Sequence, residues 1–229
     1  MRLSIPAPVR THGFRLVPMA VDPIPETSPG TAAAETSAAR KAELRQRIRA
    51  ARRRSPSPMR DLTPNLLRLL SQLTSGVPAT VACYLAARSE PQTRGFITAV
   101  QEAGHRVLLP QVRADGGLDW ADAAGAGERD SGFGVPEVDA AALPEGALRE
   151  ASVIVVPALA ASGTGARLGQ GGGFYDRTLA DRALTAHVVA AVFDEEVIAD
   201  LPIEAHDRPV DWIVTDRRIL AVTPPTHIQ

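Results

Sequence analysis

Lysine is nearly absent from this 229-residue chain: it occurs once, at Lys41, among 25 basic residues. That scarcity excludes a GxxxxGK[ST] phosphate loop, a kinase-type strand lysine and a Schiff-base lysine elsewhere, so a catalytic or phosphate-holding ammonium can only be Lys41. Cysteine is also single. Cys83, inside the apolar run 81–85, can form neither an internal disulfide nor a cysteine-based zinc site, and reads as a small buried residue in a reducing cytoplasm. Aromatic residues are only 4% of the chain, so the core must be built from Ala, Val, Leu and Ile. No apolar stretch approaches the roughly 18 residues that cross a bilayer, and none near the start makes a secretory h-region, which predicts a protein that is neither membrane-bound nor exported.

What is present is unevenly distributed. The formal charge is −1, yet residues 40–60 carry nine basic side chains and one acid, Glu43, whereas 61–229 carry 13 arginines and 22 carboxylates. A cationic segment is joined to an acidic body. Residues 1–36 hold six of the 19 prolines and no periodic apolar pattern, and read as a disordered extension ahead of one domain at 37–229. Within that domain Thr36 or Ser37 can cap a helix reaching Arg54. Leu44, Ile48 and Ala51 would form its buried stripe, and Lys41, Arg45, Arg49 and Arg52 fall on a neighbouring face. Like charges at i, i+4 cost about 0.2–0.5 kcal/mol per pair, so that face is destabilising unless an anion meets it.

Further on, short β-rich runs alternate with helical patterns. A helix at 64–73 is capped by Thr63, and strands are predicted at 80–86, 106–109 closed by Pro110, 152–156, 188–192 and 212–215, with helices at 93–103, 174–186 and 195–200. Residues 115–143 read as a long irregular excursion. Continuously apolar strands alternating with helices predict a three-layer α/β/α domain with a mostly parallel, Rossmann-like sheet. Ligands in such sheets sit beyond the carboxyl ends of the strands. That edge collects residues 85–90, Pro110, 157–173, 193–195 and 215–216.

The segment 167–177, RLGQGGGFYDR, has four glycines in five positions immediately ahead of a helix. Unobstructed backbone N–H groups and a helix N-terminus make an anion cradle, and Arg167 can hold a phosphate in a two-bond fork. The spacing is not GxGxxG, so a dinucleotide fingerprint is not supported. Asp176 can either complement the helix dipole or bind a divalent cation. A second polar cluster, EAHDRPVD at 204–211, is a plain loop or a source of a further carboxylate for Mg²⁺. Glu90 can open a helix or accept hydrogen bonds from the N–H edge of a heterocycle, Phe133 can stack on a flat ring or belong to the core, and Asp194, Glu195 and Glu196 read as the acidic first turn of a short helix.

In order along the chain, KAELR at 41–45, YLAARSEPQT from Tyr84, VLLPQV from Val107, GVPEV from Gly134, VPALAASGTGARLGQGGGFYDRTL from Val156 and LPIEAHDRPVD from Leu201 together resemble the 5-formyltetrahydrofolate cyclo-ligase (5,10-methenyltetrahydrofolate synthetase) family. The likeness covers about 40–216. It implies an ATP- and Mg²⁺-dependent enzyme of one-carbon metabolism that closes 5-formyltetrahydrofolate to 5,10-methenyltetrahydrofolate and releases ADP and phosphate. By matching positions, Lys41, Arg45 and Arg167 would be the catalytic cations. ATP would be held by these three with Leu168, Gly169, Gln170, Gly171, Gly172, Gly173, Phe174 and Tyr175. The folate would lie against Leu85, Glu90, Gln170, Gly171, Gly172 and Phe174, and Mg²⁺ would meet Asp176 and Asp207. This chain has EPQT where the family often has EVDT, GVPEV for GIPEP, Phe174 for Tyr, and Gly172 where some members carry Lys. A monomer without nucleic-acid or membrane partners is expected. Two alternatives stand beside this reading: an α/β nucleotide-binding protein without cyclo-ligase activity, and a nucleic-acid-binding module built on the arginine-rich helix.

Overall fold

The structure is a computed structural model, and it describes residues 37–54, 60–130, 136–181, 183–202 and 208–222. The N-terminal extension, Phe133, His206 and Asp207 fall outside the described residues. Helix α1 is Ser37–Arg54, α2 Thr63–Thr74, α3 Arg94–Glu102 and α4 Phe174–Leu179. The strands are β1 Thr80–Ala82, β2 Arg106–Val112, β3 Leu118–Asp122, β4 Gly127–Asp130, β5 Pro136–Asp139, β6 Ala151–Pro157, β7 Ala160–Ala161, β8 Arg167–Leu168, β9 His187–Ala191, β10 Trp212–Val214 and β11 Ile219–Ala221.

Seven strands form one sheet in the order β11-β10-β9-β6-β1-β2-β3. The five inner strands are parallel, and the two edges, β3 and β11, are antiparallel to their neighbours. Because strand side chains alternate, the continuous apolar runs feed two cores. Val81, Val153, Val155 and Val189 face Leu66, Leu69, Phe96 and Val100 of α2 and α3. Ala82, Ile154, Val156, Val188 and Ala190 face Leu148, Leu179 and Val210 on the other side. Each fully buried Val, Leu or Ile stabilises by about 1.5–3 kcal/mol, which is how a chain poor in aromatics closes a core. This is the mostly parallel α/β arrangement read from the sequence.

Several elements differ from expectation. Strand β2 does not stop at Pro110 but continues to Val112. Its bonded pairs with β3 include Val107–Ala123 at one end and Arg113–Gly117 at the other, so odd-numbered residues bond to β3. Pro110 therefore turns its nitrogen towards β1 and costs the β3 ladder no bond, while the pairing with β1 ends at Ala82–Leu108, where proline has no N–H to continue it. The supposed excursion at 115–143 contains β3, β4 and β5; Gly116 takes φ 81° in the tight turn that returns β2 to β3. Helix α4 ends at Leu179 rather than 186, since Asp181 accepts the Ala183 N–H at 2.9 Å in a local turn. Thr63 is the first residue of α2 rather than its cap; Leu62 holds the N-cap position, and Asp61 before it accepts the Thr63 N–H at 2.9 Å. The helix expected at 195–200 is a single 3₁₀ turn, Asp194–Glu196, and β11 was not foreseen.

Helix α1 departs most instructively. Its length is as read, but its buried residues are Lys41, Ile48 and Arg52, while Ala51 is exposed. The helix does not lie on either sheet face. It packs through Ile48, with Leu44, on Leu159, Ala160, Ala166 and Leu168 of the β7–β8 hairpin, which follows the carboxyl end of β6. The cationic stripe is turned inward, over the edge of the sheet where ligands are expected.

Candidate functional site

A cavity of about 400 Å³ opens at that edge, a size in the range of small-molecule sites, about 300–1,000 Å³. Its roof is α1, with Lys41 and Arg45; its far wall is Leu85 and Glu90, beyond β1; its near wall is the stretch from Arg167 to Asp176. All fourteen expected site residues that are described line this one cavity. Asp207 lies outside the described residues. Of the other segments expected at this edge, Phe193 and Glu195 border a separate depression, and Asp216 bonds Arg60 there.

The glycine loop is held open by its neighbours. Arg45 donates from Nε to the Gly169 carbonyl at 3.0 Å, and Arg49 donates to the carbonyl and Oε1 of Gln170 at 2.5 Å and 3.0 Å. Gly171 has φ 103°, a backbone conformation that a side chain would strain, and Gly172 sits so close to the Phe174 ring that an added Cβ would lie 2.5 Å from Cε2. Arg177 reaches back from α4 to the carbonyls of Gly116 and Gly172 and ties the loop to the β2–β3 turn.

Arg167 is almost wholly buried and pairs through Nη2 with Oδ1 of Asp176, while its Nε finds no partner. An orphaned guanidinium donor in the wall of a cavity is costly unless an acceptor arrives, and an anionic ligand would supply one. The pairing also means that Asp176 first complements Arg167. Tyr175 likewise keeps a buried hydroxyl without a partner. Burial, together with nearby ionisable groups, pushes the phenols of Tyr84 and Tyr175 well above their usual range, so both stay neutral.

Glu90 is 8% exposed and does not open α3. Its Oε2 accepts the Ala87 N–H at 3.0 Å, and its Oε1 accepts Nε2 of Gln170 at 3.1 Å. An acceptor fixed in this way at a cavity wall suits the N–H edge of a flat heterocycle. Pro110 and Pro157, expected at this edge, line the cavity, and sequence reading passed over Tyr84, Val112, Leu118 and Glu137, which also line it. Glu137 was legible in the GVPEV motif but received no role; it is buried, with Oε1 accepting the Val112 N–H at 2.6 Å. The acidic triplet proves to be a set of ion-pair acceptors: Asp194 for Arg218, Glu195 for Arg60 and Glu196 for Arg52.

Among the described residues, no three His, Cys, Asp or Glu side chains converge as a metal cage. Mg²⁺ does not require one, because it commonly takes one or two carboxylates and completes its octahedron with water and phosphate oxygens. Asp176, beside the glycine loop and partly exposed, is a donor of the right chemistry.

Comparison with known proteins agrees with this geometry. A sequence model described as the 5-formyltetrahydrofolate cyclo-ligase family matches residues 37–216. A 5-formyltetrahydrofolate cyclo-ligase of Mycolicibacterium smegmatis is 38% identical over 185 residues, covering 78% of this chain and 94% of the relative. The protein of the same name from Escherichia coli K12 is 31% identical over 147 residues, covering 61% of this chain and 79% of its own. Among solved structures, the 5,10-methenyltetrahydrofolate synthetase of Aquifex aeolicus superposes with TM-score 0.66 at 24% identity, covering 82% of this chain and 96% of that one. The synthetase of Mycoplasma pneumoniae gives 0.61 at 18%, covering 77% and 98%. At those identities the two structures speak for the fold. The match of sequence over residues 37–216, site edge included, means that the chain belongs to the 5-formyltetrahydrofolate cyclo-ligase family.

Proposed function

We propose that this chain cyclises 5-formyltetrahydrofolate to 5,10-methenyltetrahydrofolate, using ATP and Mg²⁺ and releasing ADP and phosphate. The observation that carries the reading is the convergence of Lys41 and Arg45 from α1, the glycine loop before α4, and Glu90 beyond β1 on one cavity. Two cations and a row of backbone amides suit a triphosphate; a fixed carboxylate acceptor opposite them suits a pterin. Five of the eight cations of α1, namely Arg40, Lys41, Arg45, Arg49 and Arg52, are buried in the protein or bond to it, which favours this reading over a nucleic-acid arm.

The chemistry explains why no nucleophilic Ser, Cys or His is needed. A formyl amide is a poor electrophile because its nitrogen donates into the carbonyl, and its oxygen cannot leave as oxide. In the proposed route the formyl oxygen attacks the γ-phosphorus of ATP and the bond to ADP breaks. N10 of the same molecule then attacks the activated carbon and loses its proton, and phosphate departs. Holding N10 beside that carbon gives the second step the advantage of an intramolecular reaction. Lys41, Arg45 and Arg167 neutralise charge on the phosphoryl group during transfer, and the loop amides fix its orientation. Glu90 and Gln170 orient the ring, and Phe174 covers it. Asp176, with Asp207, would hold Mg²⁺, which supplies charge neutralisation at the phosphates.

The test is absorbance: purified protein should generate the methenyl chromophore from 5-formyltetrahydrofolate only when both ATP and Mg²⁺ are present. Well-folded protein that yields no chromophore with both would overturn the assignment.

A further inference from the structure

Helix α1 supplies both cations of the roof, yet little apolar contact holds it in place. Ile48 is its one fully buried apolar side chain; the other buried residues are Lys41 and Arg52. A helix docked on so narrow an apolar stripe is poorly specified in rotation, because sliding by one residue turns its face by about 100°. The Arg52 guanidinium removes that freedom. Its Nε meets Glu196 Oε1 at 2.7 Å, its Nη2 meets Oε2 at 2.8 Å, and the same Nη2 donates to the Ala158 carbonyl at 2.7 Å. The two side chains are 3% and 6% exposed. Glu196 is itself fixed, accepting the Phe193 N–H at 2.8 Å, and Ala158 directly follows β6. A planar fork against a fixed carboxylate plus a third bond defines both the azimuth and the axial position of the helix.

The spacing links this anchor to the site. Arg45 and Lys41 lie 7 and 11 residues before Arg52, about two and three turns, and each falls within about 20° of its azimuth. Whatever orients Arg52 aims both cations into the cavity. Ion pairs buried this completely contribute little net stability compared with apolar replacements, and their best-attested use is to set registry. We propose that Arg52, paired with Glu196, is a positioning residue that fixes the register of α1 and so the placement of Lys41 and Arg45 on the nucleotide. The proposal rests on the cyclo-ligase reading and extends it to two residues outside the cavity.

The test uses Arg52→Met/Glu196→Gln in the full chain, which removes the pair without stranding a buried charge and keeps an acceptor for the Phe193 N–H. The expected result is a folded protein whose kcat/KM for ATP falls about 10- to 100-fold, the scale of a misplacement near 1 Å, with KM for 5-formyltetrahydrofolate unchanged. A folded double variant with wild-type kcat/KM for ATP would overturn the proposal. If that variant does not fold, Arg52→Lys decides: it keeps the charge but loses the fork, and should show the same selective loss against ATP; wild-type kinetics would overturn the proposal. Titration of wild type and variant with adenylyl imidodiphosphate and Mg²⁺ separates the two levels. Wild type that binds this nucleotide but forms no product overturns the reaction, and the ratio of dissociation constants still decides the role of Arg52: a ratio near one overturns it, weaker binding by the variant supports it.

Discussion

Lys41 is 5% exposed on the underside of α1, and an ammonium so placed is tolerated only where anionic or polar groups meet it. At this residue scale the reading makes a sharp demand. Lys41→Ala and Asp176→Ala should each lower turnover by about 100-fold or more, in keeping with the loss of a group that stabilises transferring charge, with far-UV circular dichroism unchanged. Asp176→Ala also strands Arg167, so a modest fall in Tm should accompany it; wild-type turnover in either variant would refute the role assigned to that residue. Individual residues were legible wherever motif and chemistry coincided, as for Lys41, Arg167 and Glu90. They were illegible where the signal was purely three-dimensional. Nothing in the spacing of Arg167 and Asp176 says that they pair with each other, and Glu137, though visible in its motif, takes its place in the wall because β5 folds back over β2.

Among the elements, the glycine loop shows how a local choice propagates. The Phe174 ring fills the space that any side chain at Gly172 would need. Gly172→Ala should therefore displace the ring from the cavity and raise KM for 5-formyltetrahydrofolate at saturating ATP, with little change in Tm, because the ring is only partly buried; a KM equal to wild type would show that Phe174 does not cover the folate. Sequence patterning located α1, α2, α3 and all five inner strands of the sheet, since each has a continuous apolar or periodic signature. It failed for β3, β4 and β11, which are short and border solvent or an edge, and whose hydrophobic content is too thin to register. For α1 the bounds were right and the face only in part, since Ile48 and Leu44 pack as expected but Ala51 does not. A hydrophobic stripe was assumed to choose the buried side, whereas carboxylate and carbonyl partners from distant segments bring Arg52 inside, with Lys41 buried in the cavity roof and Ala51 left out.

On the scale of the whole molecule, the charge asymmetry resolves into internal pairing. Arg40 meets Asp200, Arg52 meets Glu196, and Arg60 meets Glu195 and Asp216, with its guanidinium 4.0 Å from the Phe193 ring. Part of the cationic segment is thus the counterpart of the acidic body. The Arg60 bond holds Glu195 below its ordinary 4.5. Burial alone would raise Asp216, but Arg60 and the Asp194 amide outweigh it and hold that carboxyl below 3.8. Groups with depressed folded-state values contribute stability above their ordinary values and lose it as the pH falls through the folded ones. The gap in Tm between wild type and Arg60→Gln should therefore narrow from about pH 6 to about pH 3, and a gap independent of pH would show that the network does not couple to titration.

The bonds that seat α1 join residues far apart in the chain: 124 positions separate Arg45 from Gly169, 144 separate Arg52 from Glu196, and 160 separate Arg40 from Asp200. During translation the helix leaves the ribosome long before any of these partners exists. Its arginine-rich face must wait, solvated and unmatched, until nearly the whole polypeptide has emerged. The proposed nucleotide site is consequently among the last features this protein completes on its way to the native state, and a chain truncated before the 3₁₀ turn at Asp194–Glu196 would carry the glycine loop without a seated roof above it.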